Sequence, residues 1–496
     1  MAIVFVLHRF GAFVLLLSSV ASASVASLDR RGRDPICKQI ADKISSASQV
    51  YYPGQSKYFA DIKHWASSSS QFSKCSVEPG TAADIGIILG IVGSTKTPFA
   101  VKGGGHASNP GFSSTEGVHI AMTRFSEVSY DKDSQTVQVG AGLVWDQVYE
   151  ALEPHGVNVV GGRVSGVGVA GFTLGGGYSW KTNQYGLTVD TVTAYELVKP
   201  DGSVARVTED SDPELFSGLK GGGNNFGIVT QFTLKTFPQT RVWGGLITYT
   251  ADQIDKVVDA AAKFSSEVTD PKASMISAFN FLLGQPGVSQ LLFYDGPSPP
   301  PGVFDDFLKI PHLTKDVKTR SFLSLVTSSP SDATAGTRGI FHSAPVLGYS
   351  PTFLKAVVNE SVHWGQKLAF KSASFISYDV EPFLPSLLTH TSSRSAYPPS
   401  RSTGFLPLNL YFAWTDAHFD GAFHDAVRAS ASHLTELAIS EGQSLDAAPI
   451  YPNYAIFGTP LESIYGSNLA ALQGLKAKVD PENVMGLAGG FKIAPK

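Results

Sequence analysis

Between Thr81 and Val92 the apolar residues recur at helical spacing, and the short apolar run Phe99-Ala100-Val101 leads directly into Gly103-Gly104-Gly105. A helix followed by a strand is predicted there, with further strands over Val118–Met122 and Thr136–Val139. Val144, Val148 and Leu152 share one side of a predicted helix over Trp145–Leu152. Beyond Phe237-Pro238 the glycine runs thin out, helical stretches become more frequent, and Pro297–Pro301 reads as a surface loop. The C-terminal segment returns to the earlier glycine-rich texture, with a helix over Asn468–Val479 stopped by Asp480-Pro481. Mixed α and β structure is expected, as one domain split in sequence: residues 24–240, with their core at 75–240, are completed by 446–496, and 241–445 form an insertion.

Composition narrows the partners. With 43% hydrophobic residues in a chain of 496, a large core is affordable and disorder is excluded. Lys+Arg 38 against Asp+Glu 42 leaves a formal charge of −4, with no basic tract, so neither nucleic acid nor an anionic membrane is an expected partner. The apolar stretch Phe10–Val20 follows Arg9 and ends in Ala21-Ser22-Ala23. It reads as a signal peptide over residues 1–23, and hence a secreted protein. Arg30-Arg31 is either a processing site or a solvated pair. Cys37 and Cys75, the two cysteines of the chain, bridge in an oxidising compartment or are separate buried thiols. Asn359-Glu360-Ser361 is an N-glycosylation sequon, as in a secreted glycoprotein.

Gly166-Val167-Gly168-Val169-Ala170-Gly171 matches a dinucleotide-binding fingerprint, with Asp190 near the place of a ribose acid. That motif works only where a helix N-terminus presents its N–H groups to a pyrophosphate. Here Gly175-Gly176-Gly177 follows closely, and three glycines inside a helix cost about 1 kcal/mol each, so the fingerprint is rejected. No phosphate loop of the G-K-[ST] kind, G-x-S-x-G elbow or metal-ligand spacing is present. What remains are glycine segments at 103–105, 161–177, 221–227 and 489–490, each read as leaving a strand. Such runs cradle phosphate through backbone N–H groups, and several together suit a long, flat cofactor with a polar tail.

Pro98-Phe99-Ala100-Val101-Lys102-Gly103-Gly104-Gly105-His106, Gly140-Ala141-Gly142-Leu143-Val144-Trp145, Gln184-Tyr185-Gly186-Leu187, Asn225-Phe226-Gly227-Ile228-Val229 and Tyr451-Pro452-Asn453-Tyr454 carry a specific resemblance. In these stretches the chain resembles the vanillyl-alcohol-oxidase superfamily of PCMH-type FAD-linked oxidoreductases, in its berberine-bridge-enzyme-like branch. The resemblance is dense from Cys75 to Pro238 and from Tyr451 onward, while the middle matches only in length and position. It implies an α+β fold: a two-lobed FAD-binding domain with an inserted substrate domain of antiparallel sheet backed by helices. It further implies FAD held by Lys102, Gly103, Gly104, Gly105, His106, Ala107, Ser108, Ser165, Val167, Gly168, Gly171, Gly175, Gly227, Val229 and Asn453, with His106 bonded covalently to the flavin 8α-methyl.

Departures from the family pattern sharpen the expectation. Val164 stands where many relatives place a second, cysteine attachment, so a single tether is implied. Val167 stands where relatives control oxygen access and resembles the oxidases, making dioxygen the implied acceptor. Tyr451 takes the place of the family's catalytic base, which needs a neighbouring cation or hydrogen bond to lower a phenol pKa near 10. The supporting lysine and glutamine of relatives are replaced by Pro407 and Asn409, leaving Asn409 to orient substrate and Tyr185 as a further pocket residue. The implied activity is a monomeric secreted oxidase that takes a hydride from an alcohol or activated C–H of a small metabolite or sugar and forms hydrogen peroxide. The alternatives are a flavin-dependent cyclase of secondary metabolism and a non-catalytic flavin-binding protein.

Overall fold

The computed structural model describes residues 34–329 and 331–496; the expected leader and Arg30-Arg31 lie outside them. The first lobe is a four-stranded sheet in the order Gln49–Tyr51, Cys75–Glu78, Val118–Ala121, Phe99–Lys102, the last three strands parallel. Helix Ala82–Ser94 supplies the crossover between Cys75–Glu78 and Phe99–Lys102. The Thr81 hydroxyl caps that helix by accepting from the Asp84 amide at 3.1 Å. Ile85, Ile88, Leu89 and Val92 bury its inner face. Cys37, on helix Pro35–Lys43, is disulfide-bonded to Cys75 at the start of a strand, which decides between the two readings of the cysteines.

The second lobe is a five-stranded antiparallel sheet, ordered Val128–Asp131, Thr136–Gly140, Ile228–Lys235, Val192–Val198, Val204–Val207. Helix Trp145–Leu152 forms as its periodicity predicts, and Leu469–Val479 ends one residue before Asp480. The C-terminal segment returns to the first lobes. Ala488 bridges Phe99, and the Asn225 side chain donates to Phe491 O at 2.9 Å and accepts from Ile493 N at 3.0 Å.

Two local expectations are corrected. A helix does follow Gly168, but it spans only Val169–Leu174 and ends before the triple glycine. Asp190 is bound by Arg401 at 2.6 Å and is a structural anchor. The Gly221–Gly227 run leaves helix Pro213–Leu219, and Gly489-Gly490 follows the helical turn Val484–Leu487; neither leaves a strand.

The insertion is an antiparallel sheet backed by helices, as the resemblance implies, and its sheet has seven strands. Its order is Thr314–Arg320, Val242–Thr250, Gln285–Tyr294, Ala273–Leu282, Ala373–Val380, Leu406–Trp414, Arg338–Val346. Ala273–Leu282 and Leu406–Trp414 are buried on both faces, so they lack the polar alternation that marks a strand in sequence. Helices Ile254–Glu267, Pro351–Leu368 and Asp420–Ser440 accompany the sheet; Asn359 is exposed on the second of them. Along Ala273–Leu282, Ile276, Ala278 and Asn280 turn to one face and line the cavity described next, while Phe281 turns to the other and presses on Gly365. Among the described residues, no helix is long and apolar enough to cross a membrane.

Candidate functional site

A cavity of about 900 Å³ lies where the two lobes meet the large sheet. Its floor is glycine-rich. The strand Phe99–Lys102 delivers Gly103-Gly104-Gly105 to the floor, and a Cβ on Gly104 would stand 2.5 Å from Gly168 Cα. The two loops therefore run backbone to backbone, which only glycine permits. Gly171 also faces the cavity, and a Cβ there would meet no atom within 4 Å. Gly489, Gly490 and Phe491 close the floor from the C-terminal end.

His106 stands on this floor, and burial pushes its imidazole down to about 4, so the ring is neutral. Its Nε2 is buried without a hydrogen-bond partner. An unpaired buried nitrogen beside a bare glycine floor fits a flat heterocycle with a phosphate tail. Gly103, Gly104, Gly105, Ala107, Ser108, Gly168, Gly171, Gly175 and Val229 lie where they could hold it, and Val164 and Val167 line the same wall.

Four of the residues expected at the site are not on the cavity wall. Lys102 folds back beneath its own loop and donates from Nζ to Asp61 O at 2.7 Å. Ser165 donates to Asp146 Oδ1 at 2.6 Å beside the start of helix Trp145–Leu152. Gly227 lies against its neighbouring strand, where a Cβ would come 2.3 Å from Val198 O. Tyr185 stacks on Phe237 with ring centroids 3.8 Å apart, so its ring is spent on packing.

Tyr451, Asn453 and Asn409 do reach the cavity. The Tyr451 hydroxyl accepts from Asn453 Nδ2 at 2.9 Å and from Gly177 N at 3.2 Å. Burial nevertheless outweighs these donors and the nearby Arg163, and pushes the phenol up to about 12. Burial thus works against the donors and the cation that the expected base calls for, all of which are in place around the hydroxyl.

The large sheet adds groups that sequence reasoning missed. Asp379 and Glu381, two apart on a strand and its end, both face the cavity. Asp379 accepts from Ser377 Oγ at 2.7 Å and from Asn409 Nδ2 at 3.0 Å, and burial raises its pKa. Glu381 binds Arg163 Nη2 at 2.7 Å and accepts from the Tyr454 hydroxyl at 3.0 Å; burial pushes it up to about 7. The one signal available in sequence was the Asp-x-Glu spacing, which puts both carboxyls on one side of an extended chain. The other end of the sheet is apolar, with Leu246, Ile276 and Leu291 on the wall. Among the described residues no group of three or more His, Cys, Asp or Glu could hold a metal ion.

Comparison with known proteins agrees with this geometry. The FAD binding domain family matches residues 73–208. An uncharacterized FAD-linked oxidoreductase of Arthroderma benhamiae is 33% identical over 438 residues, 84% of this chain and 84% of that protein. An FAD-dependent monooxygenase of Emericella nidulans is 29% identical over 466 residues, covering 90% of this chain and 96% of its own. In the solved structure of BBE-like 1 from Physcomitrella patens the fold recurs with a TM-score of 0.73 at 20% identity, over 90% of this chain and 97% of that one.

Proposed function

Since the chain belongs to the PCMH-type FAD-linked oxidoreductases, in the berberine-bridge-enzyme-like group, we propose that it oxidises an alcohol or activated C–H of a small metabolite or sugar, passes the electrons to dioxygen and releases hydrogen peroxide. The observation that carries this is the convergence of Asp379 and His106 on one cavity. Bound FAD supplies the hydride acceptor.

The protein's own groups handle the proton and the substrate. Asp379 takes the substrate's hydroxyl proton: its raised pKa brings it toward working pH, and donors from Ser377 and Asn409 keep the anion accessible. The protonated Tyr451 donates a hydrogen bond to the substrate oxygen, its own oxygen being steadied by Asn453 and Gly177. Arg163 and Tyr454 fix Glu381, so that the second carboxyl shapes the wall without competing for the proton. His106 tethers the flavin, an assignment supported by its neutral ring and unpaired nitrogen. Val167 on the wall supports access for dioxygen, and the Cys37–Cys75 bridge supports a secretory route.

The name of the Emericella nidulans relative favours a second reading, in which one oxygen atom enters the product. Oxygen uptake and peroxide release by the yellow holoprotein, across a panel of aromatic alcohols, allylic alcohols and sugars, tests the oxidase. Stoichiometric peroxide with a product two hydrogens lighter is expected; a product about sixteen mass units heavier in ordinary dioxygen, and about eighteen heavier in ¹⁸O₂, would establish the second reading instead.

A further inference from the structure

Trp65 lies between helix Ser56–Ile62 and the turn Ser67–Ser69, and its indole is stacked on the His106 imidazole with centroids 4.4 Å apart and planes 16° from parallel. Three hydrogen bonds hold it there. Its backbone N–H donates to Gly105 O at 3.0 Å, its carbonyl accepts from Gly336 N at 2.8 Å, and Nε1 donates to Ser331 O at 3.2 Å. Phe341 is also nearly parallel to it, at 5.8 Å and 17°. The indole is thus fixed to the very loop that carries His106 and, at the same time, to the inserted domain.

We propose that Trp65 is a positioning residue for flavin attachment, holding the His106 ring in the plane from which it bonds the 8α carbon. This rests on the tether proposed above. A stacked plate covers one π face of the imidazole and leaves its edge, where the nitrogen lone pair lies, open to attack. It also gives the positive charge that builds on the ring during attack an electron-rich face to meet. In the step itself one C–N bond forms. The 8α carbon loses a proton, the imidazole loses its N–H proton, and both protons end with the electron pair on the isoalloxazine. Dioxygen then takes the pair and the protons as hydrogen peroxide. Orientation is what such a step needs most, because the nucleophile is already neutral and buried.

The test uses full-length Trp65→Phe, Trp65→Leu and Trp65→Met holoproteins, with His106→Ala as control. Total bound flavin is measured first, and the fraction that stays in the acid-precipitated pellet second. The phenylalanine variant, which keeps a stacking ring, is expected to retain most of its flavin in the pellet. The leucine and methionine variants are expected to bind flavin but to tether no more than about a tenth of it. A merely structural role would lower total flavin and leave the tethered fraction unchanged, and that result overturns the proposal. So does the failure of both aliphatic variants to accumulate, which would make the ring a folding element. A colourless wild-type pellet, or a yellow His106→Ala pellet, would defeat the tether itself; yellow aliphatic pellets beside a yellow wild type and a colourless His106→Ala defeat Trp65 alone.

Discussion

Asn409 donates its side-chain amide to Asp379 Oδ2 at 3.0 Å from the directly opposite position on the neighbouring strand. Asp379→Asn keeps the shape of the site and removes its proton acceptor. Flavin reduction by substrate, followed without oxygen, should slow by about 10²–10⁴-fold with flavin content unchanged. An unchanged reduction rate would take Asp379 out of the reaction.

Asn409→Asp sets a second carboxyl against the first. Like charge disfavours the Asp379 anion and raises its pKa further. Because the anion is the active form, the acid limb of the rate profile should move to higher pH. A profile of wild-type position would show that Asn409 does not act through Asp379.

Arg163→Met removes the partner of a carboxyl that is 2% exposed. Breaking a buried pair from one side costs about 3–5 kcal/mol, and the Glu381 pKa should rise above its present value of about 7. Adding Glu381→Gln should recover part of the loss. Urea denaturation of both variants checks this; equal stability of wild type and Arg163→Met would contradict it.

Besides His106, three buried histidines make stability depend on pH. Burial pushes His64 down to about 4, His119 to about 3 and His342 to about 4, from 6.5 in the unfolded chain. Between pH 6.5 and about 4 the unfolded chain therefore binds more protons than the folded one, and stability falls as pH falls. At about 1.4 kcal/mol per proton and pH unit, the three contribute roughly 4 kcal/mol per unit once charged in the unfolded chain, and Glu381, held at about 7 in the folded protein, offsets about one proton of this. Denaturation midpoints measured at pH 7, 6 and 5, spanning roughly the upper part of that window, should decrease steadily; a flat series would remove the histidines as its source.

The Cys37–Cys75 bridge spans 38 residues, a loop for which chain entropy predicts about 4 kcal/mol of stabilisation. The paired replacement Cys37→Ser and Cys75→Ser should lower stability by that order while leaving flavin binding in place. Loss of flavin binding before any loss of stability would show that the bridge also positions the site.

Much of the cofactor half was legible along the chain. Helix Ala82–Ser94, strand Phe99–Lys102 and helix Trp145–Leu152 follow from local apolar spacing, and the glycine loops from the backbone freedom that close approach demands. Side-chain direction was less readable. Lys102 belongs to the same loop as His106, yet turns to Asp61 beneath the floor, because neighbouring residues leave an extended chain on opposite sides. Tyr185 lies in a recognisable motif, but its ring is taken by Phe237, more than fifty positions away.

The order of apolar and glycine positions by itself determined the early strands and helices and the glycine loops, since each rests on local geometry, while the flavin and the place of His106 followed from the family resemblance. The pairing of Asp379 with Asn409, the locking of Glu381 by Arg163 and the plate that Trp65 lays on His106 were decided only by tertiary structure. These contacts join positions 30 to 218 residues apart, or depend on which way one ring turns. Burial then sets the proton affinities of the groups they bring together, and burial belongs to the folded molecule, not to any stretch of its chain.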